Sequence, residues 1–166
     1  MKFDKLLSEY KDKLLVEHTL GKLSKYDFDK YIVCRDDRLF EMSEKYNFKY
    51  ILNNRSHLGL SESIKIGVKK VESENLAFVL GDMPDLEEES YQKLLDNVDT
   101  EITCRKFEGE IINPVLFSSK YKDDLLALRV NSGAKQIILD NLDKVSFVDI
   151  TNDEAKDVDT EIDLEG

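Results

Sequence analysis

The strongest constraint on the fold is an alternation of short apolar runs with segments of helical spacing along the chain. The run from Leu76 to Leu80 is the clearest strand, and Ile64, Val68 and Val71 mark a helix before it. Short apolar runs are typical of buried strands, and apolar residues three or four positions apart are typical of helices. The alternation predicts an α/β fold with a mostly parallel sheet covered on both faces.

The same pattern assigns the other elements. Predicted strands cover residues 31–34, 50–53, 76–80, 102–107, 114–118 and 146–150, and predicted helices cover 14–23, 37–46, 61–71, 86–98 and a pair within 121–141. There is no repeat, and Pro84 and Pro114 are the only prolines in the 166 residues, so we expect one domain.

Composition and charge narrow the function classes. A net charge of −11 disfavours nucleic acid as a partner, because the averaged field repels a polyanion. Cys34 and Cys104 do not have the spacing of metal ligands. A single pair of cysteines in a chain without a signal peptide is typical of reduced thiols. The first residues lack the apolar core of a signal peptide, and no apolar run is long enough to cross a membrane. We therefore expect a cytoplasmic protein without nucleic-acid or membrane partners.

Gly81 and Asp82 follow the clearest strand directly. In parallel α/β sheets, ligands bind beyond the carboxyl ends of the strands. Glycine lets the backbone leave the strand sharply, and a carboxylate there suits Mg²⁺ bound to substrate phosphates. In the alternative interpretation, residues 82–85 form a turn that caps a helix beginning at Leu86.

A second acidic segment, residues 157–163, contains Asp157 and Asp159. A metal that bridges a triphosphate needs carboxylates from distant parts of the chain, and this segment is a candidate source. The alternative is a solvated acidic tail in which Thr160 caps a helix.

The loop with Gly59, Ser61 and Ser63 opens the helix after the second predicted strand. Backbone amides at a helix N-terminus, with hydroxyls beside them, suit a phosphate, a ribose or a base edge. The alternative is an ordinary helix cap at Ser61.

Six segments in order carry a resemblance to a known family. They are Lys5-Leu6-Leu7 followed by L-V-E-H-T-L at 15–20, G-L-S-E-S at 59–63, L-G-D-M-P at 80–84, N-P-V-L-F at 113–117, G-A-K at 133–135, and D-V-D-T at 157–160. The chain resembles the MobA/MocA-like nucleotidyltransferases, most closely the molybdenum cofactor cytidylyltransferases.

The resemblance implies a three-layer Rossmann-like domain that transfers CMP from CTP to molybdopterin with Mg²⁺ and releases pyrophosphate. It implies that Lys5 faces the triphosphate and that Asp82 is the principal metal ligand. Asp157, and after it Asp159, would complete the metal site.

The resemblance also implies a nucleotide-binding role for four smaller residues. Gly59, Ser61 and Ser63 match the loop that contacts the base and ribose, and Gly81 lies beside the metal ligand.

One departure from the family concerns the first residues. The family opens with a strand and a glycine-rich phosphate loop, whereas the first glycine of this chain is Gly21. The expectation is a single N-terminally truncated domain over residues 1–166, with a sheet that lacks its first strand. Either Met1 is internal to a longer gene for a complete enzyme, or the chain is a catalytically impaired relative. A third alternative is a non-enzymatic protein that docks a molybdoenzyme or a maturation factor.

Overall fold

Strands and helices alternate through residues 5–149, the part of the chain that the structure, a computed structural model, describes. The strands are β1 (Glu9–Tyr10), β2 (Lys13–Leu14), β3 (Tyr31–Cys34), β4 (Lys49–Leu52), β5 (Asn75–Phe78), β6 (Ile102–Phe107), β7 (Glu110–Ser118) and β8 (Val145–Asp149). The helices are α1 (Leu15–Leu23), α2 (Leu39–Lys45), α3 (Leu60–Val68), α4 (Glu88–Leu95), α5 (Lys122–Leu126) and α6 (Lys135–Asp140). The α/β class is confirmed.

The strands pair in two larger groups and one small hairpin. β3 and β4 are parallel, and β1 and β2 form an antiparallel hairpin. The third group has the order β5-β7-β6-β8, in which β6 and β8 are parallel and β7 is antiparallel to both of its neighbours. β7 reverses direction because Glu108 and Gly109, with φ of 47° and 87°, form a tight turn after β6.

β7 is longer than the predicted strand, which began only at residue 114. Its pairing with β6 shifts between Cys104, opposite Val115, and Arg105, opposite Ile112. Asn113 and Pro114 bulge out of the ladder at that shift, where a proline costs no ladder hydrogen bond. The proline therefore marks a bulge inside the strand, and the residues before it belong to the same strand.

The structure corrects two helical predictions and adds a hairpin that was not predicted. α4 begins at Glu88 instead of 86, since Leu86 is buried within the preceding loop. The predicted helix pair within 121–141 is two short helices with a long connection between them. The β1–β2 hairpin was not predicted, because two-residue strands leave no periodic signal.

Helices α1 and α3 hold the β3–β4 pair against the four-stranded sheet. Ile64 and Val68 of α3 pack with Leu76 of β5, and Gly67 of the same helix lies against Val33 of β3. α1 packs its apolar residues against Ile32 and Cys34 of β3, and its last residue packs against the residues that follow β5. α3 therefore contacts strands of both groups, and α1 links β3 to the residues that follow β5.

Within residues 5–149, β3 and β5 each have one edge without a strand partner. All four residues of β3 are only half-buried, and Ala77 in the middle of β5 is exposed. Central strands of a complete α/β sheet are buried on both faces. The open edges agree with the expectation of a sheet that lacks one strand. No helix in the described part of the chain is long and apolar enough to cross a membrane.

The open edges predict self-association that grows with protein concentration, because unpaired strand edges are templates for further pairing. Ala77→Lys should reduce it by placing a charge on the exposed residue of β5. Sedimentation velocity over a wide concentration range measures the effect. Val98→Lys, at an exposed apolar residue outside the strands, is the control. An Ala77→Lys protein that associates like the wild type contradicts the prediction.

Candidate active site

The loop of residues 81–86, here the Asp82 loop, begins at the carboxyl end of the sheet, just beyond β5 and the two residues that follow it. Gly81 lies close against the N-terminal part of the chain. A Cβ at this position would be 3.3 Å from Leu6 Cδ2 and 3.4 Å from Val16 Cγ2. A larger side chain would therefore push the first residues away from the loop.

Lys5 and Asp82, which the sequence predicted to act together, are in direct contact. Lys5 Nζ lies 2.5 Å from Asp82 Oδ2, and the two side chains are 30% and 17% exposed. The other carboxylate oxygen, Oδ1, is buried and accepts no hydrogen bond from any residue within 5–149. One carboxylate oxygen of Asp82 thus contacts the Lys5 ammonium, while the other is buried without a donor from these residues.

This carboxylate fits a role as a metal ligand. A buried carboxylate oxygen without a partner is costly, and a divalent cation would satisfy it. Mg²⁺ is commonly held by one or two carboxylates together with substrate phosphates, so a single protein ligand is consistent with such a site. No group of three metal-binding side chains occurs in the described part of the chain. Asp157 and Asp159 lie outside the described residues.

Two further parts of the chain hold the far side of the Asp82 loop. Tyr10 Oη and Lys11 Nζ donate to the Asp85 carboxylate at 2.7 and 2.6 Å. Lys22 Nζ donates to the main-chain oxygens of Pro84 and Leu86, both at 2.7 Å. The loop is therefore fixed by the β1–β2 hairpin and by α1. The helix cap that the alternative interpretation placed in this loop is absent, since α4 begins at Glu88 with Glu87 as its cap residue.

Sequence reasoning missed these contacts. The partners are separated by 62 to 75 residues along the chain, and none belongs to a recognisable motif. Burial lowers the pKa of Lys22, and nearby carboxylates oppose that effect. For Asp85, burial raises the pKa, but the hydrogen bonds from Lys11 and Tyr10 outweigh it and leave the pKa below its usual value.

The predicted nucleotide loop is shaped by Gly59. This residue has φ 87° and ψ −173°, a conformation that is essentially restricted to glycine, and it caps α3. Ser61 is therefore not the helix cap, and it is only 1% exposed. This fraction covers the whole residue, so its main chain is buried together with its side chain.

Asn53 supports this loop from the end of β4 and was not singled out by its sequence. It is fully buried, donates from Nδ2 to Ser63 Oγ at 2.9 Å, and accepts from the Arg55 main-chain N–H at 2.9 Å. Ser63 is thus held in place, half-buried, in the first turns of α3.

Asn113 lies at the same end of the sheet as the Asp82 loop. Val115 pairs with Phe78, the last residue of β5, so Asn113 lies beyond the end of that strand. The fully buried Arg105 donates from Nη1 to the Asn113 main-chain oxygen at 2.8 Å. The strand register therefore brings the N-P segment towards the carboxyl end of β5.

The family model of the MobA-like NTP transferase domain matches residues 1–145. The chain belongs to this family, as the sequence resemblance predicted. No curated protein sequence matches the chain.

Solved structures share the fold at low sequence identity. Rv0371c of Mycobacterium tuberculosis H37Rv, in complex with manganese, is 18% identical over 99% of this chain and 94% of its own, with a TM-score of 0.80. The molybdopterin-guanine dinucleotide biosynthesis protein A of Archaeoglobus fulgidus is 18% identical over 99% and 88%, with a TM-score of 0.71. A CMP:2-keto-3-deoxy-manno-octonic acid synthetase complexed with CTP is 12% identical over 97% and 88%, with a TM-score of 0.77. The Rossmann-like nucleotidyltransferase fold is thereby confirmed.

Gly59→Ala should lower the free energy of unfolding by about 1–3 kcal/mol, the usual cost of a glycine-only backbone conformation. The new Cβ would also come within 2.7 Å of Asn131 Oδ1. Urea denaturation measures the change. Gly133→Ala is the control, because a Cβ there meets no atom within 4 Å. Equal stability of the two variants would contradict the assigned conformation.

Asp85→Asn should destabilise the protein by about 1–2 kcal/mol at pH 7, since it weakens two hydrogen bonds to a charged group. The pKa of Asp85 is lowered in the folded protein, so its stabilisation is present above the unfolded pKa of about 3.9 and is lost as pH falls below it. Urea denaturation at pH 7 and pH 3 should give a difference from wild type that shrinks at pH 3. Tyr10→Phe, which removes one of the two donors, should give a smaller difference at pH 7. A difference that is independent of pH contradicts the assignment.

Proposed function

We propose that the chain is a metal-dependent nucleotidyltransferase that transfers CMP from CTP to the phosphate of molybdopterin and releases pyrophosphate. The observation that carries the proposal is the contact of Lys5 with Asp82, whose second carboxylate oxygen is buried without a donor among residues 5–149. A lysine and a metal-binding carboxylate side by side suit the α-phosphate and the leaving group of a nucleoside triphosphate. Membership of the MobA-like family supports the reaction class.

Asp82 would hold Mg²⁺, with Asp157 and then Asp159 as the proposed further ligands. The bound cation would neutralise charge on the triphosphate. Lys5 would donate from Nζ to phosphate oxygens of the same triphosphate. Positioning and electrostatic stabilisation account for such catalysis without a covalent intermediate on the protein.

The nucleoside would lie between the Asp82 loop and the start of α3. Gly59 and Gly81 would allow a close approach of the main chain, and Ser63 would offer its hydroxyl. Ser61, which is 1% exposed, would take part by supporting the start of α3. One structural neighbour is described as a complex with CTP, which favours cytidine. Another is a molybdopterin-guanine dinucleotide biosynthesis protein, which favours molybdopterin as the acceptor and makes GTP the competing nucleotide.

The proposed setting is a single domain over residues 1–166 in the cytoplasm. Cys34 and Cys104 are not joined by a disulfide, which supports a reducing compartment. The open edges of β3 and β5 support a sheet with one strand fewer than a complete domain of this class.

Isothermal titration calorimetry should detect binding of CTP with Mg²⁺, and weaker binding of GTP. Asp82→Asn should abolish the metal-dependent part of the heat, and Lys5→Met should weaken binding by about tenfold through loss of a charge-assisted hydrogen bond. Asp99→Asn, at an exposed aspartate remote in sequence from the loop, is the control and should bind as wild type. No heat from any nucleoside triphosphate with Mg²⁺ would overturn the proposal.

The second candidate is a non-enzymatic protein that acts in molybdoenzyme maturation by docking a partner. The half-exposed β3 and the exposed Ala77 of β5 favour it, because an open strand edge accepts an added strand. Under this candidate, nucleotide binding is absent. Co-purification of a molybdoenzyme or a maturation factor that Ala77→Lys releases would then support it.

A further inference from the structure

We propose that Lys22 is a positioning residue for the metal-binding carboxylate Asp82. The inference rests on the proposed function, because it takes Asp82 as a metal ligand. Lys22 lies in the last turn of α1, and its ammonium contacts the main chain of the loop that carries this carboxylate.

The ammonium of Lys22 holds two main-chain oxygens that flank Asp85. Nζ lies 2.7 Å from the oxygen of Pro84 and 2.7 Å from that of Leu86. Both carbonyl groups must therefore point towards α1, which fixes the orientation of the peptide planes between them. On the other side of the same turn, the β1–β2 hairpin holds the Asp85 side chain through Tyr10 and Lys11.

The contacts of Lys22 also restrain Asp82, because the segment between Asp82 and the residues that Lys22 contacts is short and stiff. Met83 and Pro84 are buried between the two positions, and proline has a fixed φ. The Leu86 N–H also donates to the Met83 oxygen at 3.4 Å, which closes the turn. With Gly81 packed against Leu6 and Val16 on the other side, Asp82 is held between two fixed points.

The environment of Lys22 explains why a charged side chain is kept there. Burial lowers its pKa, so placing the ammonium at this position has a cost. Two charge-assisted hydrogen bonds offset the cost, and an apolar residue of the same length would leave both carbonyl groups without this donor. The ammonium thus fixes the direction of these two carbonyl groups, which apolar packing alone would not do.

Lys25 offers a matched control on the same part of the chain. It follows α1 by two residues, its side chain is 61% exposed, and its ammonium pairs with the carboxylate of Glu88. Glu88 belongs to α4, beyond the Asp82 loop. Removing the Lys25 ammonium should therefore leave the main chain of the loop unchanged.

The test measures binding of Mn²⁺ with CTP to the full chain by electron paramagnetic resonance, which reports free and bound Mn²⁺ directly. Lys22→Met should weaken Mn²⁺ binding by 10–100-fold, the usual range for the loss of a group that orients a metal ligand. Lys22→Arg should restore much of the affinity, because it keeps a cationic donor, and Lys25→Met should bind as wild type. Circular dichroism melting of each variant shows whether it is folded at the temperature of the titration.

The outcomes separate the two proposals. If wild type does not bind Mn²⁺ with CTP, both the proposed function and the role of Lys22 are wrong. If wild type binds and folded Lys22→Met binds equally well, only the role of Lys22 is wrong. If Lys22→Met is unfolded at the titration temperature, the comparison of Lys22→Arg with wild type decides. An arginine variant with wild-type affinity and an unshifted bound-Mn²⁺ spectrum supports the role, and one that is folded but binds no better than Asp82→Asn overturns it.

Discussion

The Asp82 loop depends on contacts that residues far away in sequence make with its main chain. Lys22 holds the oxygens of Pro84 and Leu86, and Gly81 lies against Leu6 and Val16. A loop of six residues has too few contacts of its own to hold one conformation against the entropy of a free chain. Because residues 5–22 hold the loop in place, the orientation of Asp82 is a property of the N-terminal segment as much as of the loop itself.

The same segment compensates for the open sheet. β3 and β5 have no strand between them within residues 5–149, and the joining of their two groups rests on side chains. Two helices make these contacts: α1 contacts β3 and the residues after β5, and α3 contacts β3 and β5. Apolar packing by the two helices thus takes the place of the hydrogen bonds that a central strand would make with both neighbours. It leaves main-chain groups of β3 and β5 open to an additional strand.

The burial of Asp82 Oδ1 links this architecture to chemistry. A carboxylate oxygen without a donor is costly in a protein interior, and Oδ1 finds none within residues 5–149, so a cation would satisfy it. The family resemblance had assigned metal binding to Asp82 and phosphate contact to Lys5, and the structure brings the two side chains together. It says nothing of Asp157 and Asp159, which lie outside the described residues, so their roles stay predictions.

Much of the fold was predictable because local patterns follow from burial. The strands at residues 31–34 and 102–107 have the predicted bounds, since both are rich in the β-branched and aromatic residues that strands favour. The antiparallel course of β7 was not predictable, because it depends on a two-residue turn at Glu108 and Gly109 and on a bulge at Pro114. The β1–β2 hairpin, which contacts Asp85, was not predictable from the local sequence either, since its stability comes from partners 74 and 75 residues away.

The sequence by itself determined the α/β class, the position of Asp82 at the end of a strand, and the family resemblance. These depend on periodicity and on the order of short motifs, which are local properties. Only the tertiary structure decided that Ser61 is buried, that Asn53 holds Ser63, and that Lys22 fixes the Asp82 loop. Each of these depends on where a side chain meets another part of the chain, and that meeting is set by the packing of whole elements rather than by the residues on either side.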